Sequence, residues 1–567
     1  MLPLFLLWLI LGKCRCQTSM TSLFDWGGRF QGSFNIPVTT LINGWEVIIT
    51  FSEPVSIREG TGKGTVLSHS ADGRIHTLVN TENSLILNSG QTLDLQVEGM
   101  YTGSSAPTAT AQLINLGHDP YTLPPALPNH DGAKYNYDEV LMKSILFYEA
   151  QRSGKLPPDN RIPWRADSAL NDRGDNGEDL TGGWYDAGDH VKFNFPMAAS
   201  TTVLTWGLIA YMEAYQDSGQ LDHMYSCIKW PLDYLLKCHV SKFELYVQVG
   251  KAELDHNYWG RPENMTMPRP AYKITAQNPG SDIAAETAAA FAAGYLAYHN
   301  ANKTYANILL MHARDLYEFA ITHKGKYSDS VPEAKGFYQS YDAQDELCWG
   351  GAWMYLATRE EKYLTEAEKH YEAGAAWGQS WDEKNTGCMV LLYKVTRKDI
   401  YKTDIEATFK SWMPGGTIPY TPRGLAYRLN WGSLRYASNM AMLALLAADE
   451  GIHPAEYRHW AQAQIHYALG DTGHSYVVGF GVNPPTQPHH RSSSCPLVPA
   501  PCSNRELQQS GPNTHILYGA LVGGPDQSDH YEDRRDDYVK NEVACDYNSG
   551  FQSAVAGLKA VHLRGQL

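Results

Sequence analysis

Two acidic segments, far apart in the chain, carry residue types and spacings suited to hydrolysis. The first runs Asp179-Leu-Thr-Gly-Gly-Trp-Tyr-Asp186-Ala-Gly-Asp189-His190. Two carboxylates three residues apart, with Gly188 between them, face one pocket if the segment turns there, and paired acids can hold and deprotonate one water. A bare pair at this spacing is more often an Asx-turn followed by a helix cap. The second segment, Tyr531 to Asn548, adds Asp533 and Glu542, with Asp536 and Asp537 that an acidic surface patch would equally explain. Glycosidic-bond hydrolysis needs two opposed carboxyls, one protonating the leaving oxygen and one activating water on the far face of the sugar. Two acidic segments on separate loops of one scaffold can supply that pair. Between them, Ser475 to Arg491 is dense in Gly and Pro and presents His489 and Arg491, which can donate hydrogen bonds to sugar hydroxyls. Taken alone, two histidines in a loop are more often surface residues.

The elements that must position these groups are helical. From about Tyr135 onward, Val203 to Tyr215, Ile283 to Tyr298, Tyr305 to Thr322, Glu346 to Thr358 and Ser438 to Ala448 repeat apolar residues at i, i+3, i+4. They come in pairs with short breaks, which predicts a large toroid of helical hairpins. Long irregular segments, Arg161 to Pro196 and Gly479 to Tyr538, lie between hairpins, and loops of that length are usually functional. Residues 20–115 read differently: Trp45 to Phe51 and Thr92 to Glu98 are strand-like and separated by Gly-, Ser- and Asn-rich turns, which predicts a small all-β sandwich. Gly117 to Gly132 carries four prolines and reads as a linker. The expected division is 1–16 leader, 20–115 sandwich, 116–134 linker and 135–567 helical domain.

Bulk composition agrees with two soluble domains, because 567 residues exceed one ordinary core. A net charge of -15 with no basic run argues against nucleic acid as a partner. The 15 Trp and 35 Tyr suit stacking on sugar faces, although large helical cores also consume such rings. Leu2 to Leu11 is apolar but too short to span a bilayer, and Cys14 and Cys16 fit the small positions of a cleavage site before Gln17. A secreted, extracellular chain without a membrane anchor is the expectation. Seven of the nine cysteines lie beyond that site; Cys495 and Cys502 flank a Pro-rich loop that a disulfide could close, and the odd count leaves at least one thiol unpaired. No cysteine or histidine spacing suggests zinc. Asn264-Met-Thr and Asn302-Lys-Thr match glycan acceptor sites.

Three extended motifs in order (Asp179 to Phe193, Ser475 to Arg491, Tyr531 to Ser549) resemble glycoside hydrolase family 9, and the resemblance covers about Tyr135 to Gly557. It implies an all-α catalytic domain with an (α/α)6 barrel and a cellulase, an endo-1,4-β-glucanase hydrolysing internal β-1,4-glucosidic bonds of cellulose with inversion. The matched positions imply Asp189 as base, Asp186 as its partner on the water and Glu542 as acid, with Asp533 and His489 beside them. Arg491, Tyr547, His256, Trp259, Trp431 and Arg435 match sugar-contacting positions. Inversion requires the carboxyls of Asp189 and Glu542 roughly 6.5–9.5 Å apart. Glu542 should rest protonated, raised by apolar surroundings and nearby carboxylates.

No organic cofactor is implied. Some relatives carry a structural calcium, and Asp345, Glu346 and Asp382 resemble parts of that site, although Tyr341-Asp342 stands where those relatives have Ser-Gly. The N-terminal region resembles a family 2 carbohydrate-binding module through Trp26-Gly-Gly-Arg-Phe and Ile42-Asn-Gly-Trp45. It lacks the usual row of three tryptophans and the cysteine pair, leaving Trp26 as the candidate contact and Trp45 as core. The implied partner is β-1,4-glucan, acted on by a monomer. A mixed-linkage glucanase and a binding protein without catalysis are the alternatives, and the presence of all three acids weighs against the second.

Overall fold

A computed structural model describes residues 17–39, 42–58, 63–80, 86–87, 90–115, 127–130, 132–496 and 500–566. The expected leader and most of the expected linker lie outside the described residues. The chain divides into two compact units, Met1–Pro120 with Cys495–Arg505, and Tyr121–Ser494 with Glu506–Leu567.

The first unit is a β-sandwich. One sheet has the order β1 (Thr18–Ser19), β9 (Ala109–Asn115), β4 (Trp45–Phe51), β7 (Ile75–Asn80), β6 (Gly64–His69), and the other β2 (Thr21–Asp25), β3 (Arg29–Pro37), β8 (Thr92–Tyr101), β5 (Val55–Ile57). Strict alternation along β8 turns Leu93, Leu95 and Val97 inward, where they meet Phe30, Phe34, Trp45, Val47 and Ile49 in one core. Trp45 is fully buried, whereas Trp26 is 62% exposed and lies beside exposed Phe24, ring centroids 5.4 Å apart and planes within 16°. The Cys495–Cys502 disulfide belongs to this unit.

Twelve helices of nine or more residues build the described part of the second unit. They alternate along the chain between an outer and an inner ring. The outer helices are α1 (Tyr137–Ala150), α3 (Leu221–Cys238), α5 (Lys303–Thr322), α7 (Glu361–Lys369), α9 (Asp399–Trp412) and α11 (Pro454–His466). The inner helices are α2 (Asn194–Ala210), α4 (Ser281–Tyr298), α6 (Gln344–Thr358), α8 (Asn385–Thr396), α10 (Ser433–Asp449) and α12 (Cys545–Leu563). Each inner helix packs on the next and α12 closes on α2, which makes the (α/α)6 barrel. Sequence sets the assignment. Along α5 the buried positions are Ala306, Leu309, Ala313, Leu316, Tyr317, Phe319 and Ala320, one stripe of an amphipathic helix capped by the Asn302 side chain on the Tyr305 N–H. Along α4 nearly every residue is buried, and its alanines and Gly294 admit close neighbours: a Cβ on Gly294 would lie 2.9 Å from Leu309. Cys348 and Cys388 join α6 to α8, and Cys227, Cys238 and Cys545 are buried free thiols.

Candidate active site

Three acids read from the sequence, with Trp431 and a tyrosine that was not, stand just before the inner helices. Asp186 and Asp189 precede α2, Tyr338 precedes α6, Trp431 precedes α10, and Glu542 precedes α12. Connections entering the inner ring therefore form one mouth, at the helix ends whose partial positive charge favours carboxylates.

Backbone bonds tie three of these connections together. Arg491 N–H donates to Gly188 O (3.1 Å), Cys545 N–H to Asp186 O (2.9 Å), and His489 N–H to Asn541 O (2.8 Å). Gly188 is required here, since a Cβ would meet His489 O at 2.2 Å. The segment Asp186–Asp189 is a bend rather than a helical turn, so both carboxyls are placed by this stitching.

The acids differ in environment. Burial would raise Asp189, but the His256 imidazole, the Arg491 charge and the Ala187 N–H outweigh it and hold the carboxyl below its ordinary value. His256 Nε2 lies 3.5 Å from Asp189 Oδ2, and Ala187 N–H donates to Oδ1 over 3.1 Å. Asp186 is pushed well up by burial and by the charges of Asp189 and Asp546, with the Tyr338 hydroxyl, which donates to its Oδ2, opposing. Glu542 is raised to about 7 by burial and by Asp189 and Asp546, against the hydrogen bonds from Trp431 and Tyr547. Both donors converge on Oε2, Trp431 Nε1 at 2.8 Å and the Tyr547 hydroxyl at 3.1 Å. A proton on Glu542 therefore belongs on Oε1. The arrangement offers one carboxyl that stays ionised and one that keeps its proton near neutral pH.

Histidine 489 is held down to about 4, chiefly by burial. Its Nδ1 faces Arg535 O at 2.7 Å, an acceptor, so Nδ1 carries the hydrogen and Nε2 is left to accept. Trp431 is 48% exposed and Tyr538 55% exposed, their rings 5.7 Å apart at the rim beside Glu542.

Several residues read from the sequence as sugar contacts are largely buried. Trp259 is 6% exposed, donates from Nε1 to Ser494 Oγ (3.0 Å), and backs His489 and Arg491 rather than offering an open face. Arg491 is buried on Asp255, and Arg435 is buried on Asp546 at 2.6 Å. Each neutralises a buried acid, and that fixes its guanidinium. Asp533, grouped with the acids by its motif, accepts from Thr486 N (2.7 Å), Thr486 Oγ1 (2.8 Å), Gln487 N (3.0 Å) and Asn541 Nδ2 (3.0 Å). Its oxygens brace the residue before Glu542, a positioning role.

Sequence reasoning missed Tyr338 and Asp546. Asp546 lies within the Tyr531 to Asn548 segment, beside Tyr547; Tyr338 lies in a segment with no chemical signal of its own.

Asp345 and Glu346, in the first turn of α6, lie near Asp382, which precedes α8; burial raises all three, Asp345 to about 6 and Asp382 to about 8, with Asp342 adding to Asp345, Asp345 adding to Glu346 and Asp382, and Lys384 opposing throughout. Lys384 lies 3.4 Å from Glu346 and 3.3 Å from Glu286. Glu346 Oε2 and Asp382 Oδ1 are buried with no hydrogen-bond partner.

The profile of Glycosyl hydrolase family 9 matches residues 137–555. The chain belongs to this family. Endoglucanase A of Bacillus pumilus is 46% identical over 474 residues, 80% of this chain and 70% of that protein. The solved endoglucanase of the termite Nasutitermes takasagoensis at pH 2.5 superposes with a TM-score of 0.74 at 53% identity, covering 76% of this chain and 100% of that one. A cellulase of C. cellulolyticum in complex with cellobiose superposes with a TM-score of 0.70 at 35% identity, covering 75% and 98%. This family 9 chain is a glycoside hydrolase of the cellulase type, an endoglucanase.

Proposed function

We propose that the chain is a secreted endo-β-1,4-glucanase working by single displacement with inversion, Asp189 as base, Asp186 assisting and Glu542 as acid. The observation that carries this reading is the opposed tuning of two carboxyls in one mouth, Asp189 held low and Glu542 raised to about 7. Glu542 Oε1 protonates the glycosidic oxygen as the bond to the anomeric carbon breaks. A water held between Asp189 and Asp186 attacks from the opposite face and gives its proton to Asp189. Substrate lies across the mouth with Trp431 and Tyr538 on the leaving-group side, His489 Nε2 accepting from a sugar hydroxyl and His256 beside the base. The cellobiose complex of the C. cellulolyticum relative supports a cello-oligosaccharide as occupant.

Asp345, Glu346 and Asp382 have the donor chemistry of a hard-cation site, because all donors are oxygens, two are orphaned, and one lysine leaves the cluster short of positive charge, but their oxygens would have to draw closer together to share one ion. Calcium held there would be structural, fixing the segment before α8. On the sandwich, exposed Trp26 and Phe24 support a modest glucan-binding role.

The test is release of reducing ends from carboxymethyl cellulose by wild type, Glu542→Gln and Asp189→Asn, with the product anomer followed by NMR. Loss of about 10²–10⁴-fold in each folded variant is expected, with α-anomer formed first from the β-linked substrate. Early β-anomer would rule out inversion.

A further inference from the structure

The mouth also holds a set of ligand atoms suited to a metal ion that two-carboxyl hydrolysis has no use for. Among the described residues, Asp189, Asp255 and His256 are the one group of three or more His, Cys, Asp or Glu whose ligand atoms all lie within 4.8 Å of one another. Asp189 and Asp255 are 7% and 1% exposed, yet the Oδ2 of each is buried without a hydrogen-bond partner. Their other oxygens are occupied: Asp189 Oδ1 by the Ala187 N–H (3.1 Å), Asp255 Oδ1 by the His190 N–H (3.2 Å) and the Arg491 guanidinium. His256 is the exposed member, its Nε2 3.5 Å from Asp189 Oδ2, so an ion reaches the group from solvent past the imidazole.

The donor set decides the ion. One imidazole nitrogen with two carboxylate oxygens suits zinc and copper, whereas calcium and magnesium favour oxygen alone. Three protein ligands leave a fourth position open toward the cleft, and the side chains must draw in to about 2.0–2.2 Å from the metal. Arg491 does not stand in the way, because it lies on Asp255 Oδ1; His190 Nδ1, 3.8 Å from Asp255 Oδ2, is the other cation-capable group nearby.

We propose that Asp189, Asp255 and His256 capture a zinc-class divalent ion, and that capture inhibits hydrolysis by occupying the oxygen with which Asp189 accepts the proton of the attacking water. This rests on Asp189 being the base.

The experiment titrates the full-length, chelator-treated enzyme with zinc chloride by calorimetry, calcium being present throughout so that a hard-cation site stays filled. Hydrolysis of soluble cello-oligosaccharide is read in parallel. One zinc should bind per chain over the range in which hydrolysis is lost, and chelator should restore the rate. His256→Gln and Asp189→Asn, checked for unchanged Tm, should each weaken that binding by at least about 10-fold. Zinc binding that survives both substitutions overturns the site and leaves the base assignment standing. Zinc that binds through these residues while hydrolysis continues overturns the inhibition, and the role of Asp189 with it.

Discussion

Trp431 Nε1 and the Tyr547 hydroxyl both donate to Glu542 Oε2, so Trp431 helps decide which oxygen of the acid carries the proton. A donor on a carboxyl favours its ionised form, so the indole lowers Glu542 against burial and neighbouring charge. Above about 7 the wild type should lose kcat/KM tenfold per pH unit as Glu542 gives up its proton. Trp431→Phe keeps the ring and removes the N–H, and its alkaline limb should move to higher pH. A kcat/KM profile on soluble cello-oligosaccharide decides it; limbs that coincide would show that Trp431 acts only by stacking.

Tyr338 is the donor on Asp186, whose Oδ1 is buried without a partner. Tyr338→Phe leaves a buried carboxyl with no hydrogen bond, and the water it helps hold loses its fixed place. Leaving a buried polar group without its partner costs about 1–3 kcal/mol, so kcat should fall about 10–100-fold with KM nearly unchanged, the mark of an interaction made in the transition state. A rise in KM alone would place Tyr338 in substrate binding.

The barrel was legible because its period is local: the α5 stripe and the alanine-rich α4 announce outer and inner helices without reference to one another. The carboxylates were legible because Asp186, Asp189 and Glu542 sit in motifs with their own spacing. What the sequence hid is direction. Trp259 and Trp431 look alike in a motif, yet one is sealed behind Arg491 and the other opens on the cleft, because the choice is made by segments hundreds of residues away. Tyr338 was hidden for the same reason, since its partner lies 152 positions earlier.

Chelation should expose the oxygen-lined cluster before α8. If calcium neutralises Asp345, Glu346 and Asp382, removing it leaves like charges buried together. Any ion that binds the folded chain alone stabilises it by mass action, about 2.7 kcal/mol at a hundredfold excess over Kd. EDTA should therefore lower the Tm by several degrees, calcium should restore it, and Asp382→Asn should blunt both responses. A Tm indifferent to EDTA and calcium would mean that Lys384 and protonation suffice.

Acid should weaken the fold through the histidine pair where the strand His239–Ser241 meets α5. His239 Nδ1 and His312 Nδ1 are 2.8 Å apart, so one must donate and the other accept, which two imidazolium rings cannot do. Burial first, then the neighbouring His312, depresses His239 to about 4; His312 is lowered by burial, with Asp315 opposing. Each folded-state value lies below the unfolded one, so the unfolded chain takes up protons first. The stabilisation is complete above pH about 6.5 and is lost as pH falls through about 4, on the order of 3 kcal/mol for His239. His190, His489 and His490 are depressed as well and slope the same way, so the pair must be isolated by substitution. His239→Asn should be less stable than wild type at pH 7 and lose less on moving to pH 4.5, measured by urea unfolding at both values. Parallel losses in the two proteins would assign the acid sensitivity to the other histidines.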